Sequence, residues 1–485
     1  MNYNPSEPES IEKYGQLLID QPFEYVINQS DLNPSEKAAL IERVNNPRYK
    51  GGMGTLIEEH YFGYKPNSIQ EPDFVDAGVE LKVTPFERTK KGGIRAGERL
   101  VITMISYDNP VEENFLASHA FSKLNLMLLM YYERNKDIPR TAYPMKYIQL
   151  FSPPKEDLKI IEQDYQKIIT KVREGRADEL SEGDTLYLGA CTKGSTAKKS
   201  TVPQAYYNPD VLARKRAFCF KNSYMTHVLN NYLSKKVQTY EPIIKNPTVL
   251  DTQNFESIIL EKINKHAGKT TSQLAEEFNI KNTFKSLNSS LAMRILGVKS
   301  NQAEEFEKAN IKVKTIRLTS NKTIKESMSF PTIRLKDFDE LEWEDTDFYD
   351  TLTMTKFLFV VFAEQNGSYV LKGAQFWNMP VEDIEEVGEG WRAIKTVVKR
   401  GVILKKKTLK NGNSIFNNDF PKKADHRIMH IRPHASETYY VIDGETFGDK
   451  PIYGDELPDG RIMTKQSLWL NNTYILAALE DYLKA

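Results

Sequence analysis

A weak internal repeat is the feature that most constrains how this chain folds. Residues 73–86 (DFVDAGVELKVTPF) align without a gap with residues 305–318 (EFEKANIKVKTIRL). Residues 54–65 align with residues 288–299, at a separation two residues larger than that of the first match. A third match sets Glu98 and Lys123 beside Glu326 and Lys356. Because the matches keep their order and spacing, duplication of one domain explains them better than chance similarity. The sequence therefore predicts two copies of one fold.

Length and residue patterning agree with this division. The chain has 485 residues, which is more than one hydrophobic core usually serves. Apolar runs such as 100–105 and 126–131 alternate with helical patterns, and this predicts an α/β class with a mixed central sheet flanked by helices. The polar stretch 236–252 contains Pro242 and Pro247 and predicts a linker between domains at 1–235 and 253–485.

Composition excludes several classes of protein. No run approaches the roughly 18 apolar residues of a membrane span, so no membrane partner is expected. The acidic, polar N-terminus lacks a secretory signal pattern, and we expect a cytoplasmic location. Cys191 and Cys219 are the only cysteines, too few for a disulfide framework or a zinc site.

Net charge alone gives no support to nucleic-acid binding, because 66 basic residues balance 66 acidic ones. A DNA-binding surface must therefore come from segregated charge. The candidate basic stretches are residues 198–199, 214–216 and 405–407, although such clusters are more often simply solvated faces.

The stretch from Asp73 to Val83 carries the strongest candidate for catalysis. Val79, Leu81 and Val83 alternate with Glu80 and Lys82, which predicts a half-buried strand with the carboxylate and the ammonium on one face. Asp73 precedes a turn, from which its carboxylate can converge with that of Glu80 on a hard cation. Mg²⁺ prefers such oxygen ligands, and a nearby lysine can orient or deprotonate a water and counter transition-state charge. These residue types suit hydrolysis of a phosphodiester.

The alternative interpretation is an ordinary solvent-facing strand with an ion pair, because this pattern is short and permissive. The repeat argues against it. In the second copy Glu58, Asp73 and Glu80 are replaced by Ala292, Glu305 and Lys312, whereas Lys82 is matched by Lys314 and the apolar positions persist. We therefore predict that the second copy kept the strand and lost the metal site.

At these residues the chain resembles MutH, the strand-nicking endonuclease of mismatch repair, and more fully the Sau-type restriction endonucleases that cut at GATC. The resemblance runs through most of the chain. Its most specific parts are Lys50-Gly51, Glu58, Asp73 and the string 77–82 (AGVELK). It implies two tandem MutH-like domains, the second catalytically degenerate, and double-stranded DNA containing GATC as the substrate.

The same resemblance implies roles for individual residues. Asp73 and Glu80 would be Mg²⁺ ligands and Glu58 an auxiliary acid, while Lys82 and Lys123 would be catalytic lysines. The DNA-contacting positions would be Lys50, Lys193 and Arg432. Where the family has Arg-Pro-Lys, this chain has Cys191-Thr192-Lys193, and the second copy has Arg432-Pro433-His434.

Three functions remain open from the sequence. The first is a type II restriction enzyme that makes double-strand breaks, pairing with a second copy of itself on DNA. The second is a MutH-like nickase that acts with mismatch-repair partners. The third is a non-catalytic DNA-binding protein.

Overall fold

The computed structural model describes residues 3–46, 49, 52–65, 70–89, 92–194, 200–234, 240–281, 286–300, 302–408 and 414–484. The chain forms two compact units: unit 1 comprises 1–255 with 298–311, and unit 2 comprises 256–297 with 312–485. Both are built from helices and mixed sheets, so the predicted α/β class is confirmed. Within the described ranges, no helix is long and apolar enough to cross a membrane. The domain bounds predicted from the sequence stay a prediction.

Unit 1 contains most of the elements of the first half of the chain. Its helices are α1 Pro8–Gln16, α2 Phe23–Gln29, α3 Pro34–Asn45, α4 Gly52–Ile57, α5 His119–Leu124, α6 Lys155–Arg173 and α7 Asn222–Val228. Its strands are β1 Glu80–Arg88, β2 Ile94–Ala96, β3 Leu100–Met104, β4 Met127–Glu133, β5 Met145–Phe151, β6 Leu188–Thr192, β7 Thr201–Gln204, β8 Asn208–Arg214 and β9 Arg216–Phe220.

Two sheets organise unit 1. The larger has the order β2-β1-β4-β5, with β1 parallel to β4 and the other pairs antiparallel. Strand β4 is apolar from Met127 to Tyr132 and buried along that run, as expected for a central strand covered on both faces. The smaller sheet has the order β3-β9-β6. The parallel pairing of β1 with β4 positions the site described below.

The rest of the chain supplies the following elements. The helices are α8 Phe255–Asn264, α9 Thr271–Glu277, α10 Leu287–Ile295, α11 Glu304–Ala309, α12 Asp347–Met354, α13 Val381–Arg400, α14 Asn472–Ala478 and α15 Asp481–Lys484. The strands are β10 Ile311–Leu318, β11 Met328–Thr332, β12 Lys356–Gln365, β13 Ser368–Trp377, β14 Leu404–Thr408, β15 Ser414–Asn418, β16 Met429–Pro433, β17 Tyr440–Ile442, β18 Glu445–Phe447, β19 Gly454–Glu456, β20 Ile462–Thr464 and β21 Gln466–Leu470.

The sheets of unit 2 repeat the order of those in unit 1. Strands β10-β12-β13 correspond to β1-β4-β5, and β11-β21-β16 correspond to β3-β9-β6. The backbone repeats as well: Gly78 and Asn310, which precede β1 and β10, are both left-handed, with φ of 63° and 53°. Gly63 and Gly297 are a second such pair. Both pairs fall where the sequence alignment places them, which supports duplication of the fold.

One of the sequence matches does not hold in the structure. Ser118 caps α5 by accepting from the N–H of Phe121, and Thr346 caps α12 by accepting from the N–H of Tyr349. Counting from these caps places Thr351, rather than Lys356, at the position of Lys123. Lys356 instead begins β12. Helix α12 has 8 residues and α5 has 6, so an extra stretch offsets the two copies at this point.

Helix α11 packs within unit 1 although it follows unit 2 elements in sequence. It contacts α7, and its Lys308 donates to the buried carboxylate of Asp157 at 2.9 Å. The hydroxyl of Tyr224 donates to the other Asp157 oxygen at 3.0 Å. This buried network binds the segment 298–311 to unit 1.

Candidate active site

Pairing of β1 with β4 brings Glu80 and Lys123 together. Glu80 lies opposite Met127, and its N–H donates to the carbonyl of Leu126 at 3.0 Å. Helix α5 ends just before β4, so its Lys123 lies beside the start of β1. The Nζ of Lys123 lies 3.1 Å from Oε2 and 3.3 Å from Oε1 of Glu80.

Lys82 approaches Glu80 from the same strand. Residues two apart on a strand share a face, and the Nζ of Lys82 lies 2.7 Å from Oε1 of Glu80. The predicted shared face of Glu80 and Lys82 is therefore observed. Glu80 is only 3% exposed, so two ammonium groups compensate a buried carboxylate.

Asp73 is held beside this pair by a tight turn. Phe74 and Val79 form an isolated bridge, and residues 75–77 make a single 3₁₀ turn that Gly78 ends in the left-handed conformation. The Oδ2 of Asp73 accepts from the N–H of Leu81 at 2.9 Å. Burial and repulsion from the charge of Glu80 raise the pKa of Asp73 above its ordinary value.

Glu58 is the third carboxylate of this group. It begins a π-helical turn, Glu58–Phe62, that extends α4, and such turns are frequent at functional sites. Burial, followed by repulsion from Asp73 and from Glu80, raises the pKa of Glu58 to about 7, although the charge of Lys82 acts in the opposite direction. Asp73, Glu80 and Glu58 therefore interact electrostatically in one cluster.

Tyr64 is a neighbour of this cluster that the sequence analysis did not identify. Its N–H donates to the carbonyl of Glu58 at 3.0 Å, and its ring packs edge-on against Phe74. Its hydroxyl is buried and has no hydrogen-bond partner among the described residues. Burial and the charges of Asp73 and Glu58 raise its pKa. In the sequence, nothing distinguishes Tyr64 from an ordinary core aromatic residue.

The donor set suits a hard divalent cation. Among the described residues, no three His, Cys, Asp or Glu side chains form a group that could hold a metal by themselves. Mg²⁺ commonly takes one or two carboxylates and completes its shell with water and substrate phosphate. The paired, mutually repelling carboxylates of Asp73 and Glu80 fit that requirement.

Of the predicted DNA-contacting residues, Lys193 belongs to unit 1 and Arg432 to unit 2. Lys50 falls outside the described residues. Lys193 follows β6 and donates through its N–H to the carbonyl of Lys215 at 2.8 Å. In the basic stretch 214–216, Arg216 is buried and donates to the carbonyl of Ala190, so that side chain is part of the interior.

Arg432 belongs to unit 2. It is exposed on β16, and its guanidinium lies 3.8 Å from the ring centroid of Trp469. Arg432 is paired with Ser467, which lies three residues before the end of β21. In unit 1 Cys191 is paired with Ala217, which likewise lies three residues before the end of β9, the strand equivalent to β21. The structure thus places Arg432 at the position that Cys191 has in unit 1.

The cluster around Glu80 has no equivalent among the matched residues of the second copy. Glu305 accepts from the N–H groups of Ile243 and Ile244 at 2.9 and 2.8 Å and is therefore used structurally. The positions of Glu58, Glu80 and Lys123 hold Ala292, Lys312 and Thr351. Lys314 alone retains its residue type.

A family model and several known proteins match this chain. The family model of the DNA mismatch repair enzyme MutH matches residues 62–164. The chain is 36% identical over 466 residues to the type II restriction enzyme Sau3AI of Staphylococcus aureus, covering 90% of this chain and 93% of that enzyme. It is 26% identical over 196 residues to the DNA mismatch repair protein MutH of Shewanella woodyi, covering 40% of this chain and 83% of that protein. For the MutH protein of Escherichia coli the identity is 24% over 192 residues, covering 40% and 82%.

Proposed function

The chain belongs to the family of MutH-like type II restriction enzymes, and we propose that it cuts both strands of DNA at GATC sites with Mg²⁺ as cofactor. The observation that carries this proposal is the contact of Glu80 with both Lys82 and Lys123 beside Asp73. A buried carboxylate with two lysines and a second acid supplies the groups that phosphodiester hydrolysis needs. GATC itself rests on the resemblance to the Sau-type enzymes.

Each side chain has a distinct part in this proposal. Asp73 and Glu80 would hold the cation, with Glu58 as an auxiliary acid at the edge of the cluster. When bound, a divalent cation stabilises negative charge on the phosphate and lowers the pKa of a coordinated water. Lys82 would orient or deprotonate the attacking water, and Lys123 would keep Glu80 in place and compensate charge. The hydroxyl of Tyr64, which has no partner within the described residues, is available to donate to an oxygen in this cluster.

Unit 2 would bind DNA without cutting it. Arg432 is exposed and its guanidinium is stacked on Trp469, a geometry that leaves its N–H groups free to meet a phosphate or a guanine edge. Lys50 and Lys193 would contact DNA from unit 1. The second copy has no carboxylate at the positions of Glu58 and Glu80, and Glu305, which matches Asp73, accepts from backbone N–H groups. This supports a single catalytic centre per chain.

Strand nicking is the second candidate. The match of the MutH model to residues 62–164 favours it, because MutH is a mismatch-repair enzyme. The match to a type II restriction enzyme extends over 90% of the chain, whereas the two MutH proteins each match 40%. This difference favours double-strand cleavage by the chain itself.

Plasmid cleavage tests the proposal and separates the candidates. A supercoiled plasmid with GATC sites is incubated with the purified chain and Mg²⁺, beside a plasmid from which every GATC is removed. We expect linear products with ends at GATC from the first plasmid only. Open circles that never become linear would favour the nickase, and an unchanged plasmid would contradict both.

A further inference from the structure

Unit 2 contains a large cavity to which the proposed function gives no role. Its volume is about 930 Å³, near the upper end of the roughly 300–1,000 Å³ of small-molecule pockets. Such pockets are usually lined by apolar side chains, whereas this one has many hydroxyl groups and three cations. The hydroxyls belong to Thr271, Ser286, Ser289, Thr315, Thr319, Ser327 and Tyr369, and the cations are Lys314, Arg317 and Lys325.

The lining of the cavity includes three residues that the alignment matches with residues in or near the candidate site of unit 1. Lys314, which matches Lys82, contributes to its wall. Asn288, which matches Gly54 near Glu58, and Glu326, which matches Glu98, also line it. The cavity therefore includes, in the second copy, the position that Lys82 has in unit 1.

The charge of this cavity is inverted relative to unit 1. In unit 1 the ammonium of Lys82 lies 2.7 Å from a carboxylate two residues earlier, whereas the residue two before Lys314 is Lys312. Burial and repulsion from Lys312 lower the pKa of Lys314. Among the described residues, Lys314, Arg317 and Lys325 form no ion pair, and Glu326 is the only acidic residue that lines the cavity. A divalent cation would be repelled here and an anion attracted.

We infer that this cavity binds the phosphate backbone of DNA directly, with Lys314 and Arg317 each contacting a phosphate group, without a metal ion. Phosphate oxygens accept from ammonium, guanidinium and hydroxyl groups, and all three kinds of group line the cavity. The guanidinium of Arg317 lies 6.0 Å from the ring centroid of Tyr369, so the ring limits where Arg317 can lie. A bound anion would also relieve the repulsion between Lys312 and Lys314.

The inference rests on the proposed function only in taking DNA as the ligand, and its test involves no cleavage. Binding of a fluorescent GATC duplex to the full chain is measured by anisotropy in EDTA over a range of salt concentrations. We expect the double variant Lys314→Gln/Arg317→Gln to bind less tightly, with the slope of log affinity against log salt reduced by about 1 to 2. Lys399→Gln, at the exposed end of α13, is the matched control and should behave as wild type. A double variant with wild-type affinity and slope would overturn the inference.

A second measurement uses the unaltered protein and so does not depend on how the variants fold. Lysines are acetylated with and without the duplex in EDTA, and the modified positions are quantified by mass spectrometry. Protection of Lys314 by the duplex, with Lys399 labelled equally in both samples, is the expected result. Equal labelling of Lys314 in both samples contradicts DNA binding at this cavity.

A parallel labelling sample with deoxyadenosine monophosphate in place of the duplex distinguishes the source of the phosphate. If the mononucleotide protects Lys314 and the duplex does not, the site binds free nucleotides and the assignment to DNA is wrong. Because the assays contain no Mg²⁺, their outcome is independent of whether the chain cuts at GATC.

Discussion

Lys82 and Glu80 lie on one face of β1 with 2.7 Å between Nζ and Oε1, and the aligned residues of β10, Lys314 and Lys312, are both cationic. The glutamate of β1 is thus replaced by a lysine in β10. The first strand can bind a cation beside a lysine, whereas the second repels one. The first pair belongs to the proposed catalytic centre, and Lys314 of the second pair belongs to the proposed phosphate site in unit 2.

Removing either lysine that contacts Glu80 should slow cleavage more than it weakens binding. Lys82→Met and Lys123→Met each remove an ammonium from the reacting centre, and loss of a proton-transfer or charge-stabilising group costs about 10²- to 10⁴-fold. Single-turnover cleavage with Mg²⁺ and saturating protein measures this loss. Lys155→Met, at the exposed start of α6, is the control and should retain the wild-type rate. Wild-type cleavage rates for both Lys82→Met and Lys123→Met would show that neither lysine takes part in catalysis.

Local pattern predicts only part of this site. Alternation along β1 places Glu80 and Lys82 on one face, and the left-handed Gly78 makes the turn that brings Asp73 back to Leu81. Lys123 is 43 residues from Glu80, and the two meet only because β1 and β4 are parallel neighbours. The resemblance to a family, rather than any spacing, identified Lys123.

The same limit applies to the fold. The two copies follow from the repeat, but similarity of residue type pairs Lys123 with Lys356, whereas the caps Ser118 and Thr346 show that the spacing from Glu98 and Glu326 continues unchanged to Thr351. The return of α11 to unit 1 depends on a contact between Lys308 and Asp157, which are 151 residues apart. No local pattern predicts a pairing at that separation.

Glu58 should make the stability of the metal-free protein depend on pH. Its folded pKa of about 7 lies above the ordinary 4.5, so the folded state binds this proton more tightly and loses stability as pH rises from about 4.5 through about 7. Glu58→Gln removes the penalty. We expect it to stabilise the protein at pH 8 by about 1 to 2 kcal/mol, less than the full shift implies because the side chain is partly exposed, and by almost nothing at pH 4.

Urea unfolding in EDTA at the two pH values measures this difference. The adjacent exposed Glu59 gives the control variant Glu59→Gln, for which no comparable pH-dependent gain is expected. An equal effect of Glu58→Gln at pH 4 and pH 8 would show that its charge is not penalised in the fold.

The ion pair between Lys308 and Asp157 should be essential for the stability of unit 1. Both side chains are at most 4% exposed, and Lys308→Ala leaves Asp157 buried with only the Tyr224 hydroxyl. Breaking one side of such a pair costs about 3–5 kcal/mol. Calorimetry should show a lower Tm for this variant, whereas Lys265→Ala, which removes an exposed pair with Glu261, should change stability by about 1 kcal/mol or less. Equal effects of the two variants would contradict the role given to α11.

Assembly on DNA follows from counting catalytic centres. Within the described part of the chain there is one proposed carboxylate set, yet a double-strand break needs two hydrolyses of opposite polarity. We expect a mainly monomeric free protein that pairs on the palindrome through a twofold axis, with unit 2 holding a second site and raising the local concentration of a partner. Plasmids with two GATC sites should be cut faster than one-site plasmids at limiting enzyme. Identical rates, strictly first order in enzyme, would argue for independent action of single chains.

The most direct test of the catalytic centre compares cleavage and binding in Glu80→Gln. The amide keeps the size of the side chain and removes the charge that contacts both lysines and that would hold the cation. The single-turnover rate with Mg²⁺ and the Kd for a GATC duplex in EDTA are measured on the same preparation, with Glu59→Gln as control. We predict that the rate falls by several orders of magnitude, as expected for loss of several kcal/mol of transition-state stabilisation, while the Kd changes little. A Glu80→Gln protein that binds the duplex and still cuts at the wild-type rate would contradict the assignment of this centre.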